Sequence, residues 1–481
     1  MPLPGTPLLL GWTGHRCLRG ICFCRYEKGD SMTKSLDMTV GRPLPLLLRF
    51  ALPTLAGNLL HQAYSITDSV VVGRFLGQTA LASAGCTSPI IMLLAALMIG
   101  VNVAVGILIS HAFGRRDYQR IRRTMVNSLY LGLVISAVLA LVGGSLAETI
   151  LRWMGTPEGP LRNAVSYLRI NFITTVCPLF YYLFSSVFRG MGDSRTALYC
   201  LIVSALGNVG LDVLFVAVFH WGVPGTAWAT ALAQAMSAVF AAVLLWRRYP
   251  EVRPSPADCC FDWQLFKRIA GMAVPIAVQS AFNNLSNVVA QSGINTFGET
   301  VMAAYTAAGR LGTLTLMPLE TIASSLSVFA GQNHGAGNHG RIRQGIRAAL
   351  WLCLVSSVLL GVLLLTAGGT LAGLFLSEPS PEIIAVVRRY LLITAVPGIL
   401  AGVMQVYQQV LRGINRPNQA LAGGIMQLLA KILAVAVGAW VLHDLDVVWL
   451  GWPLSFIAGT IIPFFFCCRY LGGSKAEDEI P

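Results

Sequence analysis

Arg189-Gly190-Met191, with Ala197-Leu198 shortly after it, returns later in the chain as Arg412-Gly413-Ile414 and Ala420-Leu421, at a constant offset of 223 residues. Two further echoes flank this one. Gly114 and the basic loop running to Arg123 match Gly335 and the loop running to Arg347, and Pro53 matches Pro275. The 481 residues are therefore two copies of one unit. In each copy, apolar runs follow one another with short breaks, and each is long enough to cross a bilayer as about 20 residues of helix. They lie at about 45–72, 86–112, 124–147, 164–188, 196–219 and 223–246, then at about 269–295, 303–330, 346–372, 384–411, 418–442 and 447–468. Six spans per copy is an even number, so both copies enter the membrane the same way up, as parallel repeats about an axis along the membrane normal. The expected fold is an all-α polytopic membrane protein with 12 transmembrane helices in two six-helix lobes.

The expected organisation follows from these runs. A cytoplasmic N-terminal segment covers 1–44, an N-lobe with helices 1–6 covers 45–246, and a linker bearing Pro250, Pro254 and Pro256 covers 247–268. A C-lobe with helices 7–12 covers 269–470, and a tail covers 471–481. Residues 1–31 do not read as a cleaved signal, because Leu8-Leu9-Leu10 is too short an apolar core and Arg16 and Arg19 follow it. Met32, which opens a stretch leading straight into span 1, is expected to be the true start.

Composition supports the membrane reading. Hydrophobic residues make up 55% of the chain and charged residues 11%, against about 25% charged in soluble domains. Soluble enzymes, disordered chains and disulfide scaffolds are excluded. The net charge of +13 does not imply nucleic acid, since the basic residues sit in alternate loops. Connections after spans 2, 4, 6, 8 and 10 hold Arg115, Arg120, Arg195, Arg248, Arg343 and Arg416, whereas odd connections hold Glu148, Glu158, Glu299, Glu378, Glu382 and Asp444. Even loops and both termini are therefore expected in the cytoplasm. The 11 cysteines show no metal-ligand spacing, so no redox or zinc function is expected of them, and no cofactor is expected.

Polar residues inside the spans carry the functional signal, since a charge at mid-bilayer costs about 2.5–3.5 kcal/mol on the insertion scale. Asp68, Asp212 and Glu320 are the carboxylates that fall within spans. On span 1, Asn58, His61, Gln62, Ser65 and Asp68 form one helical stripe, and Asn208 stands one turn from Asp212. A carboxylate ending a polar stripe favours a cation or proton site over simple helix glue. On span 7, Gln279, Asn283, Asn287, Gln291 and Asn295 recur every four residues, a face expected to line a cavity or protein interface. Lys431, mid-span 11, falls at the repeat position of Asn208. A structural ion pair with Glu320 is its expected partner, because intramembrane ions usually pair. Arg310 has no assigned role.

The run His61-Gln62-Ala63-Tyr64-Ser65-Ile66-Thr67-Asp68-Ser69-Val70-Val71-Val72-Gly73-Arg74-Phe75-Leu76-Gly77 closely resembles span 1 of bacterial multidrug and toxic compound extrusion (MATE) transporters. Phe329-Ala330-Gly331-Gln332-Asn333-His334-Gly335-Ala336-Gly337 and Phe188-Arg189-Gly190-Met191-Gly192-Asp193 fit the same family. The resemblance, closer to the DinF-like branch, covers the chain from about Met32 to the end of span 12. It implies a V-shaped antiporter that exports drugs or other hydrophobic, often cationic, small molecules in exchange for H+ or Na+. The implied cation-coupling residues are Asp68, Asn208, Asp212 and Thr230. Asn283 and Asn284 stand where one branch carries an acid in helix 7, and Gln427 stands where many relatives carry an acid before the basic residue of helix 11.

Gln62, His61, Gln279, Asn283, Asn287 and Gln291 are the expected cavity-lining or substrate residues. The expected partners are a small-molecule substrate and membrane lipid, with a monomeric chain in the bacterial inner membrane. A lipid-linked-precursor flippase of the same superfamily and a dedicated metabolite exporter are the alternatives.

Overall fold

The computed structural model describes residues 35–373, 380–395 and 397–472. The segment ahead of Met32, Glu378 and the last residues of the tail lie outside them. The described residues form helices and no strands. In chain order these are α1 (Pro43–Leu76), α2 (Gly77–Gly114), α3 (Tyr118–Trp153) and α4, a pair Glu158–Ile173 and Val176–Gly190 bent by 45°. α5 (Ser194–Val218) and α6 (Val223–Arg248) complete the first six. The second six are α7 (Trp263–Asn295), α8 (Glu299–Gly335), α9 (His339–Gly373), α10 (Pro381–Thr394 and Gly398–Gly413, bent by 44°), α11 (Pro417–Leu442) and α12 (Leu445–Gly472).

Among the described residues, nine single helices are long and apolar enough to cross a membrane, and eleven if each bent pair is one span, which matches eleven of the twelve expected spans. The twelfth is α7. At 33 residues it has ample length, but its row of amides dilutes its hydropathy.

Local geometry repeats along with the sequence. α5 and α11 both end in a wide π-type turn, Val213–Val218 and Val437–Leu442. Residues with positive φ pair up across the copies, as Gly192 with Asn415 and His220 with His443. Each pair again lies 223 apart.

The expected boundary between 246 and 269 divides the chain but not the packing. The start of α1, through Leu46, Leu47 and Phe50, is buried in the core of the second six helices. Symmetrically, the start of α7, through Ile269, Met272, Ala273 and Ile276, is buried in the core of the first six. Each half thus lends its first helix to the other at the Arg-rich end.

That end is sealed by close backbone contact. A Cβ built on Gly114 would stand 2.0 Å from the Gln332 carbonyl oxygen, and one on Gly335 would stand 2.2 Å from that of His111. No larger residue fits while α2 and α8 are so close. His111 Nε2 donates to the Gly413 carbonyl at 2.6 Å, and Gln332 Nε2 donates to that of Gly190 at 3.1 Å. Just ahead of α1, fully buried Met38 bridges the seam. Its N–H donates to Gln332 Oε1, while its carbonyl accepts from Asn333 Nδ2 and Arg341 Nη2.

The linker is tied to α3. Arg122 Nε meets Asp258 Oδ2 at 2.7 Å, and Asn127 Oδ1 accepts from the Asp262 N–H. The Ser255 hydroxyl and the Arg122 guanidinium hold the Asp258 carboxyl below the usual carboxylate range.

Candidate functional site: a two-carboxylate centre in the first six helices

α1, α5 and α6 pack side by side and bring Asp68, Asn208, Asp212 and Thr230 together. Asn208 and Asp212 are 2% and 1% exposed. Asn208 Nδ2 donates to Thr230 Oγ1 at 3.2 Å, which fixes the amide and turns its oxygen away from that contact. The Asp68 and Asp212 carboxyls are close enough to act on each other directly. Asp68 Oδ1, Asn208 Oδ1 and both Asp212 oxygens are buried and meet no donor. No basic side chain forms an ion pair with either acid among the described residues.

A cluster of acceptors with no protein donor is met by water, by a shared proton or by a cation, and for two adjacent carboxyls the last two also remove charge. One carboxyl takes a proton and donates it to the other, or a cation takes the oxygens as ligands. The donor set suits a hard monovalent cation or H+, and contains no His or Cys to favour a transition metal. Two features were missed by periodicity. Tyr64 on α1 and Tyr167 on α4 stand close enough to sense both carboxylates. Tyr64 could have been found, since it lies one turn before Asp68 on the same face. Tyr167, on another helix, could not. The π turn of α5 begins at Val213, immediately after Asp212, and such turns recur at functional sites.

His61 is exposed and packs edge-on against Tyr64 at 4.9 Å, while Gln62 is half-buried. Asn58 Nδ2 reaches across to Thr321 Oγ1 on α8 at 3.0 Å, next to an exposed Glu320.

In the second six helices the structure corrects two expectations. Gln279 does not line a cavity. It is 1% exposed and locked in a network, donating to Gln408 Oε1 at 2.8 Å and accepting from Arg412 Nη2 at 2.6 Å. The reason is helical drift: a four-residue repeat turns about 40° per step, so the amides at the two ends of the row face different neighbours. Asn283 and Asn287 are exposed, and Gln291 donates to Asn295.

The Lys431–Glu320 ion pair is also absent. Lys431 Nζ donates to Asn287 Oδ1 at 2.9 Å and stands 4.3 Å above the Trp452 ring. Lys431 on α11 turns toward α7 and α12, while Glu320 emerges from α8 beside the residue that meets α1. Arg310 is exposed on α8.

The comparisons agree with this architecture. The MatE family model matches residues 53–214 and 275–441, one segment in each copy of the repeat. A probable multidrug resistance protein of Bacillus subtilis, YoeA, is 27% identical over 86% of this chain and 91% of its own. An FAD transporter of Shewanella oneidensis is 23% identical over 92% of this chain and 97% of its own. A solved outward-facing multidrug resistance MATE transporter superposes with a TM-score of 0.85 at 22% identity, covering 92% of this chain and 99% of that one. The chain belongs to the MatE family of multidrug-efflux membrane transporters, and is a secondary transporter rather than an enzyme.

Proposed function

We propose that this protein exports hydrophobic, often cationic, small molecules across the bacterial cytoplasmic membrane in exchange for H+ or Na+ bound at Asp68 and Asp212. The observation that carries this reading is the neighbouring Asp68 and Asp212 carboxyls, three of whose oxygens, together with Asn208 Oδ1, are buried without a donor. Two such groups cannot both stay ionised and unpaired in a dry site. They take up a cation from one side and surrender it when the surroundings change.

Coupling then needs only that ion and drug favour different states of the two lobes, so that binding one weakens the other. One monovalent cation crossing a potential of ~150 mV supplies about 3.5 kcal/mol, enough for a few-hundred-fold gradient of a neutral substrate. With the Arg-rich ends in the cytoplasm, the sealed seam described above corresponds to the outward-facing state. The protein works as a monomer without a cofactor. The test is efflux of a lipophilic cationic dye from proteoliposomes under an imposed Na+ or pH gradient. Dye extrusion driven by at least one of them is expected. A chain that moves no dye under either gradient would overturn the reading.

The orientation has its own test. A single cysteine introduced at exposed Arg343 should react with an impermeant maleimide only in opened cells, whereas one at Glu158 should react in intact cells. The reverse pattern would turn the protein over and, with it, the direction of transport.

A further inference from the structure

The second six helices frame a partly open cavity of about 330 Å³ that the carboxylate centre does not touch. Tyr305, Tyr390 and Trp452 line it, with ring centroids 5.7–6.0 Å apart. Its size is at the lower end of ligand sites, which run from about 300 Å³ upward. Its lining carries hydroxyls and an amide but no charge, and the nearest cation stands just behind it. Lys431 is 5% exposed, and its ammonium is held between two lining residues, Asn287 and Trp452. No carboxylate lies within ion-pair distance of it among the described residues. Ser357 Oγ, also on the lining, is buried without a partner, and so is the indole N–H of Trp449, whose ring packs on Tyr390 at 5.5 Å.

The contrast with the first lobe is one of sign. Lys431 occupies the repeat position of Asn208, so a buried ammonium stands in the second lobe where the first places a neutral amide beside its carboxylates. An ammonium with only an amide oxygen and a ring face for company leaves two N–H directions and a full charge unsatisfied. A cation–π contact offsets part of that cost. An anion would offset far more, because charge-assisted hydrogen bonds are about twice as strong as neutral ones. The aromatic walls favour a flat, unsaturated body behind the anionic group.

We propose that this cavity is a binding subsite for an aromatic organic anion, its rings among Tyr305, Tyr390 and Trp452 and its anionic group on the Lys431 ammonium. This goes beyond the exporter reading by adding an anionic class to its often cationic substrates, and it rests on that reading only for its purpose, not for its test. The test is equilibrium binding to the full chain in detergent, with no ion gradient. Naphthalene-2-carboxylate is compared with its neutral amide at neutral pH, following quenching of tryptophan fluorescence. The carboxylate should bind at least tenfold more tightly. Lys431→Met should bring the two within about twofold of each other, and Lys431→Arg should keep most of the preference. Thermal melting checks that each variant is folded, and the wild-type comparison decides even if Lys431→Met is not. No carboxylate binding, equal affinities in the wild type, or a preference that survives in folded Lys431→Met would each overturn the proposal. Because no gradient is used, failure here is separate from failure of ion-coupled efflux.

Discussion

Asp212→Asn is expected to abolish gradient-driven dye efflux, a loss of at least ~100-fold, while dye binding persists. The substitution keeps the shape of the side chain and removes its ionisable group. An amide cannot exchange a proton, and without its charge it is a weaker cation ligand. Folding should not suffer, because Asp212 is buried beside a half-buried Asp68 with no basic partner for either among the described residues. The amide N–H that the substitution introduces can donate to Asp68 in place of the shared proton, so the variant should melt close to the wild type. Asp68→Asn should act in the same direction. Asn208→Ala and Thr230→Ala break a hydrogen bond between neutral ligands. They should leave transport working but raise the Na+ or H+ concentration it requires. The measurement is dye efflux from energised proteoliposomes, with dye binding and thermal melting in parallel. Wild-type efflux by Asp212→Asn would move the energy input elsewhere, first to the exposed carboxylate of Glu320.

The second large effect is expected at the seam. Ser110 and Gly331 approach so closely that a Cβ on Gly331 would stand 3.1 Å from Ser110 Cβ and 2.0 Å from its hydroxyl oxygen. Disulfides place the two Cβ atoms about 3.5–4.5 Å apart, so Ser110→Cys with Gly331→Cys needs only a few tenths of an ångström of adjustment. In a background cleared of native cysteines, oxidation should lock α2 to α8 and reduce efflux to that of empty liposomes. A reductant should restore it. The control is Gly331→Cys with Ser110→Ala, which removes the crowded hydroxyl and cannot cross-link, and which should respond to neither treatment. Wild-type transport by fully cross-linked protein would show that this contact need not open during the cycle.

Much of the molecule is legible along the chain, because a bilayer imposes its own grammar. Helices must be about 20 residues long and apolar, so the spans announce themselves, and the repeat at Arg189 and Arg412 reveals how they are grouped. Among the described helices only α7 falls short by hydropathy, because Asn283, Asn287 and Gln291 interrupt its apolar residues. The grouping of Asn208 with Asp212 is equally plain, since residues four apart share a face.

What periodicity determines, then, is which residues share a face of one helix, and that a buried acid must find company. It carries no information on which helix stands opposite. Tertiary packing alone decided that Asp68 meets Asp212, that Gln279 turns to Arg412 and Gln408, and that Lys431 settles on Asn287 and Trp452 rather than on Glu320. It also decided that each half buries the start of its first helix in the core of the other. These choices depend on distances between segments hundreds of residues apart, set by how closely glycine-lined helices approach. A one-dimensional pattern contains the helices and their faces; the angles and contacts between them exist only once the chain has folded.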